Sequence, residues 1–174
     1  MSDQPAPKYV GIYLNDHLAG STAGLELAKR AAGENAGGEL GAFLAELAEE
    51  IAEDRTELET IMEELGVGRD QVKQVAAWVG EKAGRLKRNG HLTGYSPLSP
   101  LIELEALSLG IEGKRLMWVA LADTLGDRIG AERLARLIAR AERQREDVEH
   151  HRLAAMRQAV AADGAVAAGA GAHA

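Results

Sequence analysis

The sequence predicts an all-α protein built as a four-helix bundle, and three observations support that prediction. Hydrophobic residues make up 46% of the 174 residues but aromatic residues only 3%, a balance typical of helical bundles. Four long segments repeat apolar residues at intervals of three and four, which is the period of an amphipathic helix. No segment has the pattern of a β-strand. A chain of this length can bury one sizeable core, so we expect one domain.

Glycine and proline residues mark the ends of the first helices. The first predicted helix covers about residues 9–32 and is followed by the loop GENAGG. The second covers about residues 39–65 and stops at Gly66, a residue type common at helix C-termini. A third, shorter helix is predicted before Gly90, and it carries Val72, Val75, Val79 and Leu86.

The second half of the chain contains two more long helices. The fourth starts at Ser99, a good N-cap residue followed by Pro100, and reaches about residue 124. The fifth covers about residues 131–160. The predicted organisation is an N-terminal tail at 1–8, a bundle at 9–162 and a disordered Ala/Gly-rich tail at 163–174.

The loop lengths predict how the helices are connected. Short loops join the first long helix to the second and the fourth helix to the fifth, so each pair should form an antiparallel hairpin. A connection of more than 30 residues, which contains the short helix, joins the two hairpins. We therefore expect a four-helix bundle with one long crossover.

Polar residues interrupt the apolar seams of these helices near their middles. Asp54 takes the place of an apolar residue in the seam of the second helix, which otherwise contains Leu40, Leu44, Leu47, Ile51, Leu58, Ile61 and Leu65. Ser21, Ser108 and Arg115 occupy similar places in the seams of other helices. We expect these four residues to share one buried layer. Because a buried charge needs a partner, Asp54 should face a metal ion or, as we predict, Arg115.

Several segments of the chain are similar to bacterial stress-associated ferritin-like proteins. They are YLNDHLAG, AFLAELAEEIAEDRTELETIMEELGV and LADTLGD, and the resemblance extends over roughly residues 10–153. It implies a ferritin-like bundle with two metal ions, iron or manganese, between four helices. In such proteins two helices each supply a Glu and the other two each supply Glu-x-x-His.

The implied metal motif is incomplete in this sequence. Ser21 and Ser108 stand where the resemblance implies Glu, and Glu53 stands where it implies His after Glu50. The last helix has Asp147-x-x-His150 instead of Glu-x-x-His. The candidate metal ligands are Glu50, Asp54, Glu105 or Glu112, Asp147, and His150 or His151.

Two functions are compatible with this pattern. The favoured one is a non-enzymatic ferritin-like bundle, stress-associated by resemblance, whose metal site has been replaced by polar packing and which needs no cofactor. It would act through self-association, as a dimer, or through a protein partner, and the small residues of the first helix would allow close helix approach. The alternative is a di-metal carboxylate protein that uses iron or manganese in ferroxidase-like or peroxide-related chemistry.

Composition excludes several other classes of protein. The chain has no cysteine, so disulfides, thiolate metal sites and cysteine catalysis are excluded. The net charge of -7 argues against a general nucleic-acid binder. No apolar run approaches the roughly 20 residues of a membrane span, and the N-terminus has no signal-peptide core. We therefore expect a cytoplasmic protein without nucleic-acid or membrane partners.

Overall fold

The protein is an all-α bundle. The computed structural model describes residues 7–69 and 95–171, with side chains as far as Asp163. These ranges contain no strand, and their helices are α1 (Lys8–Glu34), α2 (Glu39–Glu64), α3 (Ser99–Ile129) and α4 (Ala131–Gly171). The four long predicted helices are confirmed, whereas the short helix predicted before Gly90 lies outside the described residues. None of the described helices has an apolar stretch long enough to cross a membrane.

Two helices extend further than the sequence pattern predicts. α3 continues beyond its predicted end at Thr124, across a kink at Leu125 where the backbone leaves the helical region. α4 continues beyond Val160 to Gly171. Alanine has the highest helix propensity of the residues, so the Ala/Gly-rich end, predicted to be disordered, is helical that far.

The helices form two hairpins. α1 and α2 are joined by residues 35–38, where Gly37 has a φ of 85°, and α3 and α4 are joined at Gly130, where φ is 104°. Both values lie in the left-handed region that glycine adopts readily. Each hairpin packs along its length, α1 also packs against α3, and α2 also contacts α4.

A polar layer divides the hydrophobic core into two clusters. One cluster contains Leu25, Ala28, Leu44, Leu47, Ile51, Leu104, Leu107, Ile111 and Val148. The other contains Leu14, Leu18, Leu58, Ile61, Met117, Trp118, Leu121, Leu134 and Leu137. Three helices pass from one cluster to the other across a polar residue: Ser21 in α1, Asp54 in α2 and Lys114 in α3. The middle of the bundle is therefore polar where both ends are apolar.

Some of the small residues of α1 are packed inside the bundle. Ala19 and Ala28 are buried, whereas Gly20 is exposed and Ala23 and Gly24 are half-buried. The buried members are already used in packing within one chain. They are therefore not accessible to a second copy.

Gly41 is needed at the start of α2. It is buried, and a Cβ atom at this position would collide with the backbone carbonyl of Asn35 in the loop before the helix. A backbone atom cannot swing aside as the end of a long side chain can. The tight first hairpin therefore depends on the absence of a side chain at this residue.

We predict that Gly41→Ala lowers the free energy of unfolding by about 1–3 kcal/mol, the usual cost of overpacking. Gly20→Ala is the control, because a Cβ atom there meets nothing within 4 Å. That control should raise stability by about 0.5–1 kcal/mol, since alanine is the better helix former. Urea denaturation of both variants measures these changes, and equal effects on the two would contradict the close approach.

Candidate functional site

A carboxylate is buried at the centre of the bundle. Asp54 of α2 is 2% exposed and lies between Ile51 and Leu58, which belong to different core clusters. Its Oδ2 atom accepts a hydrogen bond from Nζ of Lys114 in α3, and its Oδ1 atom forms an ion pair with the guanidinium of Arg140 in α4. Cations from two other helices therefore neutralise this carboxylate.

Gln144 of α4 completes the arrangement around the Asp54 carboxylate. Its Oε1 atom accepts a hydrogen bond from Lys114 Nζ at 2.5 Å, and its Nε2 atom donates to Glu50 Oε2 at 2.8 Å. Arg140 also donates to Glu53, at 2.9 Å. We refer to Glu50, Asp54, Lys114, Arg140 and Gln144 as the charge cluster.

The surroundings of Lys114 shift the pKa of its ammonium group. Burial lowers the pKa of Lys114 below its ordinary value, and the nearby Arg140 lowers it further. The Asp54 carboxylate opposes both effects, because it attracts the charged form of the lysine. The charge on Lys114 therefore depends on Asp54.

An apolar cleft of about 250 Å³ lies next to the charge cluster, between α1 and α3. Asp54 and Lys114 line it together with the apolar side chains of Ile111 and Trp118. Small residues line its sides, namely Gly20, Ser21 and Gly24 on α1 and Ala106, Gly110 and Gly113 on α3. Because none of these small residues fills the space between the two helices, the cleft is open.

The polar groups of α1 at this cleft have partners of their own. Ser21 Oγ donates a hydrogen bond to the carbonyl of Leu18 at 2.6 Å, within its own helix. His17 packs edge-on against the ring of Tyr13, with the ring centroids 4.6 Å apart. Burial lowers the pKa of His17, with the Asp16 carboxylate opposing the shift, so the neutral imidazole is favoured near pH 7.

The predicted polar layer forms in part. Ser21 and Asp54 both line the cleft, as expected for two residues at the same height of the bundle. Ser108 and Arg115 are half-buried and do not line it. Lys114 occupies the interior position of α3 that the sequence pattern assigned to Arg115.

The predicted ion pair between Asp54 and Arg115 is wrong. Arg115 forms two hydrogen bonds of 2.9 Å with Glu112 and an ion pair of 3.8 Å with Glu142. Successive residues of a helix differ by about 100° around its axis, so Arg115 and Lys114 cannot both face Asp54. Lys114 lies in the interior because α3 buries Leu107 rather than Ser108. The buried face of α3 is therefore shifted by one residue from the predicted one.

The structure separates the carboxylates predicted as metal ligands. Glu50 and Asp54 lie together, but Gln144 and the cations of the charge cluster bind them. Glu105 is exposed and lies 3.4 Å from Arg152, and Asp147 is exposed. No shared ligand shell forms from these four carboxylates.

The two adjacent histidines do not join the carboxylates. His151 is half-buried and stacks on Phe43, with the ring centroids 4.1 Å apart, and His150 is exposed. Burial and the neighbouring His150 lower the pKa of His151. Among the described side chains, no three Asp, Glu or His residues converge as metal ligands would.

A second polar contact between helices was not predicted from the sequence. Glu103 of α3 is 7% exposed, and it accepts a hydrogen bond from Tyr95 Oη at 2.7 Å and pairs with Arg30 of α1 at 3.2 Å. Tyr95 Oη accepts a hydrogen bond from Asn35 at 2.7 Å, and burial raises the pKa of Tyr95. This contact fastens the start of α3 to the end of α1.

The chain was compared with protein-family models, with curated proteins and with solved structures, and none of these comparisons found a match. The likeness to ferritin-like proteins therefore rests on the residues quoted from the sequence, and it stays a prediction.

We predict strong energetic coupling between Asp54 and Lys114. Asp54→Asn leaves two half-buried cations without their carboxylate and should lower the free energy of unfolding by roughly 3–5 kcal/mol. Adding Lys114→Met should recover part of that loss, with a coupling energy of about 0.5–3 kcal/mol in a double-mutant cycle. Chemical denaturation of the four proteins gives the result.

Arg115→Met provides the matched control for that cycle. It removes a cation from the adjacent residue of α3, and its effect should add to that of Asp54→Asn without coupling. If Arg115 coupled to Asp54 as strongly as Lys114 does, the assignment of the interior cation would be wrong.

Proposed function

We propose that this protein is a non-enzymatic ferritin-like bundle that acts through association, and that the charge cluster replaces the metal pair of that fold. The observation that carries the proposal is the occupation of both Asp54 oxygens by cations, Lys114 and Arg140. A guanidinium keeps its proton at all physiological pH values, so it repels a metal ion at that position. The donor set therefore does not fit iron or manganese.

The order of the helix ends supports a ferritin-like topology. Leu44 and Leu47 near the start of α2 share a core cluster with Leu101 and Leu104 near the start of α3. The starts of these two helices therefore lie at the same end of the bundle. That is the order of ends in a bundle with one long crossover between two hairpins.

The polar groups at the cleft support a role without catalysis. Lys114 is hydrogen-bonded to Asp54 and Gln144, so its ammonium is engaged rather than poised as a nucleophile. Ser21 donates to a backbone carbonyl of its own helix instead of to a base. The charge cluster therefore holds helices together, and the protein acts through its surfaces.

The alternative, a di-metal protein with ferroxidase-like or peroxide-related activity, requires its ligands to converge. Glu105, Asp147 and His150 are exposed, and Asp54 is already neutralised. A metal ion would have to displace Lys114 and Arg140 from Asp54 and draw the other side chains inward. The positions of the described residues therefore favour the non-enzymatic bundle over the di-metal protein.

Metal analysis tests the proposal directly. We predict that protein purified without chelator, then incubated with Fe²⁺ or Mn²⁺ and desalted, retains no stoichiometric metal by mass spectrometry. Lys114→Met is the control: it removes one of the two cations at Asp54, and so shows whether a metal site appears once that cation is absent. Stoichiometric metal in the wild type that is lost on Asp54→Asn would overturn the proposal in favour of the di-metal protein.

A further inference from the structure

The cleft between α1 and α3 is large enough to hold a small molecule. Its volume of about 250 Å³ exceeds the roughly 150 Å³ of a protein cavity that binds benzene. Protein interiors are close-packed, and few of their voids are larger than a water molecule. The core residues that line the cleft are Ile51, Leu58, Ile111 and Trp118. An opening of this size against the core of the bundle is therefore unusual.

Four glycines on the two facing helices line this cleft. They are Gly20 and Gly24 of α1 and Gly110 and Gly113 of α3. A Cβ atom at any of the four would meet nothing within 4 Å, and none of the four has a positive φ. Neither close packing nor backbone conformation therefore requires glycine at these positions, although glycine is a poor helix former. What the four glycines provide together is open space between the helices.

The side chains that line the cleft include hydrogen-bond donors that are not fully used. The Nε1 atom of Trp118 and the Nε atom of Arg55 are buried and have no acceptor among the described residues. The ammonium of Lys114 has three N–H groups, and it donates to two side chains, Asp54 and Gln144. Both carboxylate oxygens of Asp54 are already bound by cations. Because a buried donor without a partner is unfavourable, the cleft favours a molecule that brings an acceptor.

The charges at the cleft favour an uncharged molecule. The two cations that line it are each paired with a carboxylate, Lys114 with Asp54 and Arg55 with Glu59. Asp16 lines the cleft as well. A bound anion would be repelled by the carboxylates of Asp16 and Asp54. A bound cation would be repelled by Lys114 and Arg55. A molecule without charge avoids both costs.

From these observations we infer that the cleft between α1 and α3 is a binding site for a small, uncharged and mostly apolar molecule with a carbonyl oxygen. The apolar part of the molecule contacts the core residues that line the cleft, and its oxygen accepts a hydrogen bond from a donor in the wall. The volume limits the molecule to about the size of a substituted benzene ring. This site is separate from the proposed association of the protein and goes beyond it.

The first test compares the binding of acetophenone and ethylbenzene, which have similar shapes and differ in the carbonyl oxygen. Titration of the full chain, followed by ¹H–¹⁵N NMR, gives both dissociation constants. We expect acetophenone to bind roughly 2- to 10-fold more tightly, which corresponds to one hydrogen bond. A purely apolar pocket would prefer ethylbenzene, because it would not replace the hydrogen bonds of the carbonyl with water. Benzoate, which is similar in size but negatively charged, should bind more weakly than acetophenone.

The second test fills the cleft from its walls. Gly24→Leu and Gly113→Leu each add an apolar side chain at a half-buried position that lines the cleft, and each should weaken acetophenone binding by at least about 10-fold. Gly126→Leu is the control, because Gly126 is also a half-buried glycine of α3 but does not line the cleft. It should leave the affinity unchanged. Circular dichroism checks that the three variants are folded, which we expect because a Cβ atom at each position meets nothing within 4 Å.

Three results would overturn this inference. The first is a wild type that does not bind acetophenone, and the second is acetophenone binding that both cleft-filling variants retain in full. The third is a preference of the wild type for ethylbenzene or for benzoate, which would assign the cleft to a hydrocarbon or to an anion instead. None of these results bears on metal retention, so the inference can fail while the proposed function stands.

Discussion

The Asp54 carboxylate lies where the two hydrophobic clusters of the bundle meet, and its oxygens are bound by cations from α3 and α4. Removing an ion from water costs several kcal/mol, and close partners offset that cost only when the geometry is correct. The contact therefore fixes α3 and α4 relative to α2. If α3 turned by one residue, Gly113 or Arg115 would replace Lys114, and Asp54 would lose its nearest partner. The charge cluster sets the helix register more sharply than apolar packing could.

α1 is held in a different way. It contributes Ser21 to the polar layer, but the hydroxyl of Ser21 bonds to its own helix rather than to the charge cluster. Its contact with α3 is lined by glycine and other small residues, and the cleft remains between them. The ion pair of Arg30 with Glu103 fastens the end of α1, beyond the cleft. Charged contacts therefore fix α2, α3 and α4 at mid-height, whereas α1 is held nearer its ends, by apolar contacts and by its ion pair with Glu103.

Helix positions and the buried place of Asp54 could be predicted from the sequence, because both follow from apolar spacing. The partner of Asp54 could not be predicted as easily, since two seams of α3 satisfy the same three-and-four spacing. The seam through Ser108 and Arg115 and the seam through Leu107 and Lys114 share Leu104, Ile111 and Trp118. The seam through Leu107 and Lys114 is the more apolar of the two, and this difference could have identified it as the buried one. Arg140 gave no such signal, because a long side chain can reach a buried carboxylate from the border of its helix.

The candidate metal ligands show a related limit of sequence reasoning. Asp147 and His150 stand one turn apart, as ligands on a helix would, yet both face outward. Spacing places two side chains on one side of a helix, but the packing of the other helices decides whether that side is buried.

The contact between Lys114 and Asp54 can be tested directly through the exchange of the Lys114 ammonium protons. We expect ¹⁵N NMR of the folded protein to show a lysine ammonium signal whose protons exchange slowly with water, because Lys114 Nζ is hydrogen-bonded to Asp54 and Gln144. That signal should disappear on Lys114→Met and lose its protection on Asp54→Asn, whereas the exposed Lys29 should exchange rapidly in every protein. A folded wild type in which every lysine ammonium exchanges as fast as Lys29 would contradict the contact of Lys114 with Asp54 at the centre of the bundle.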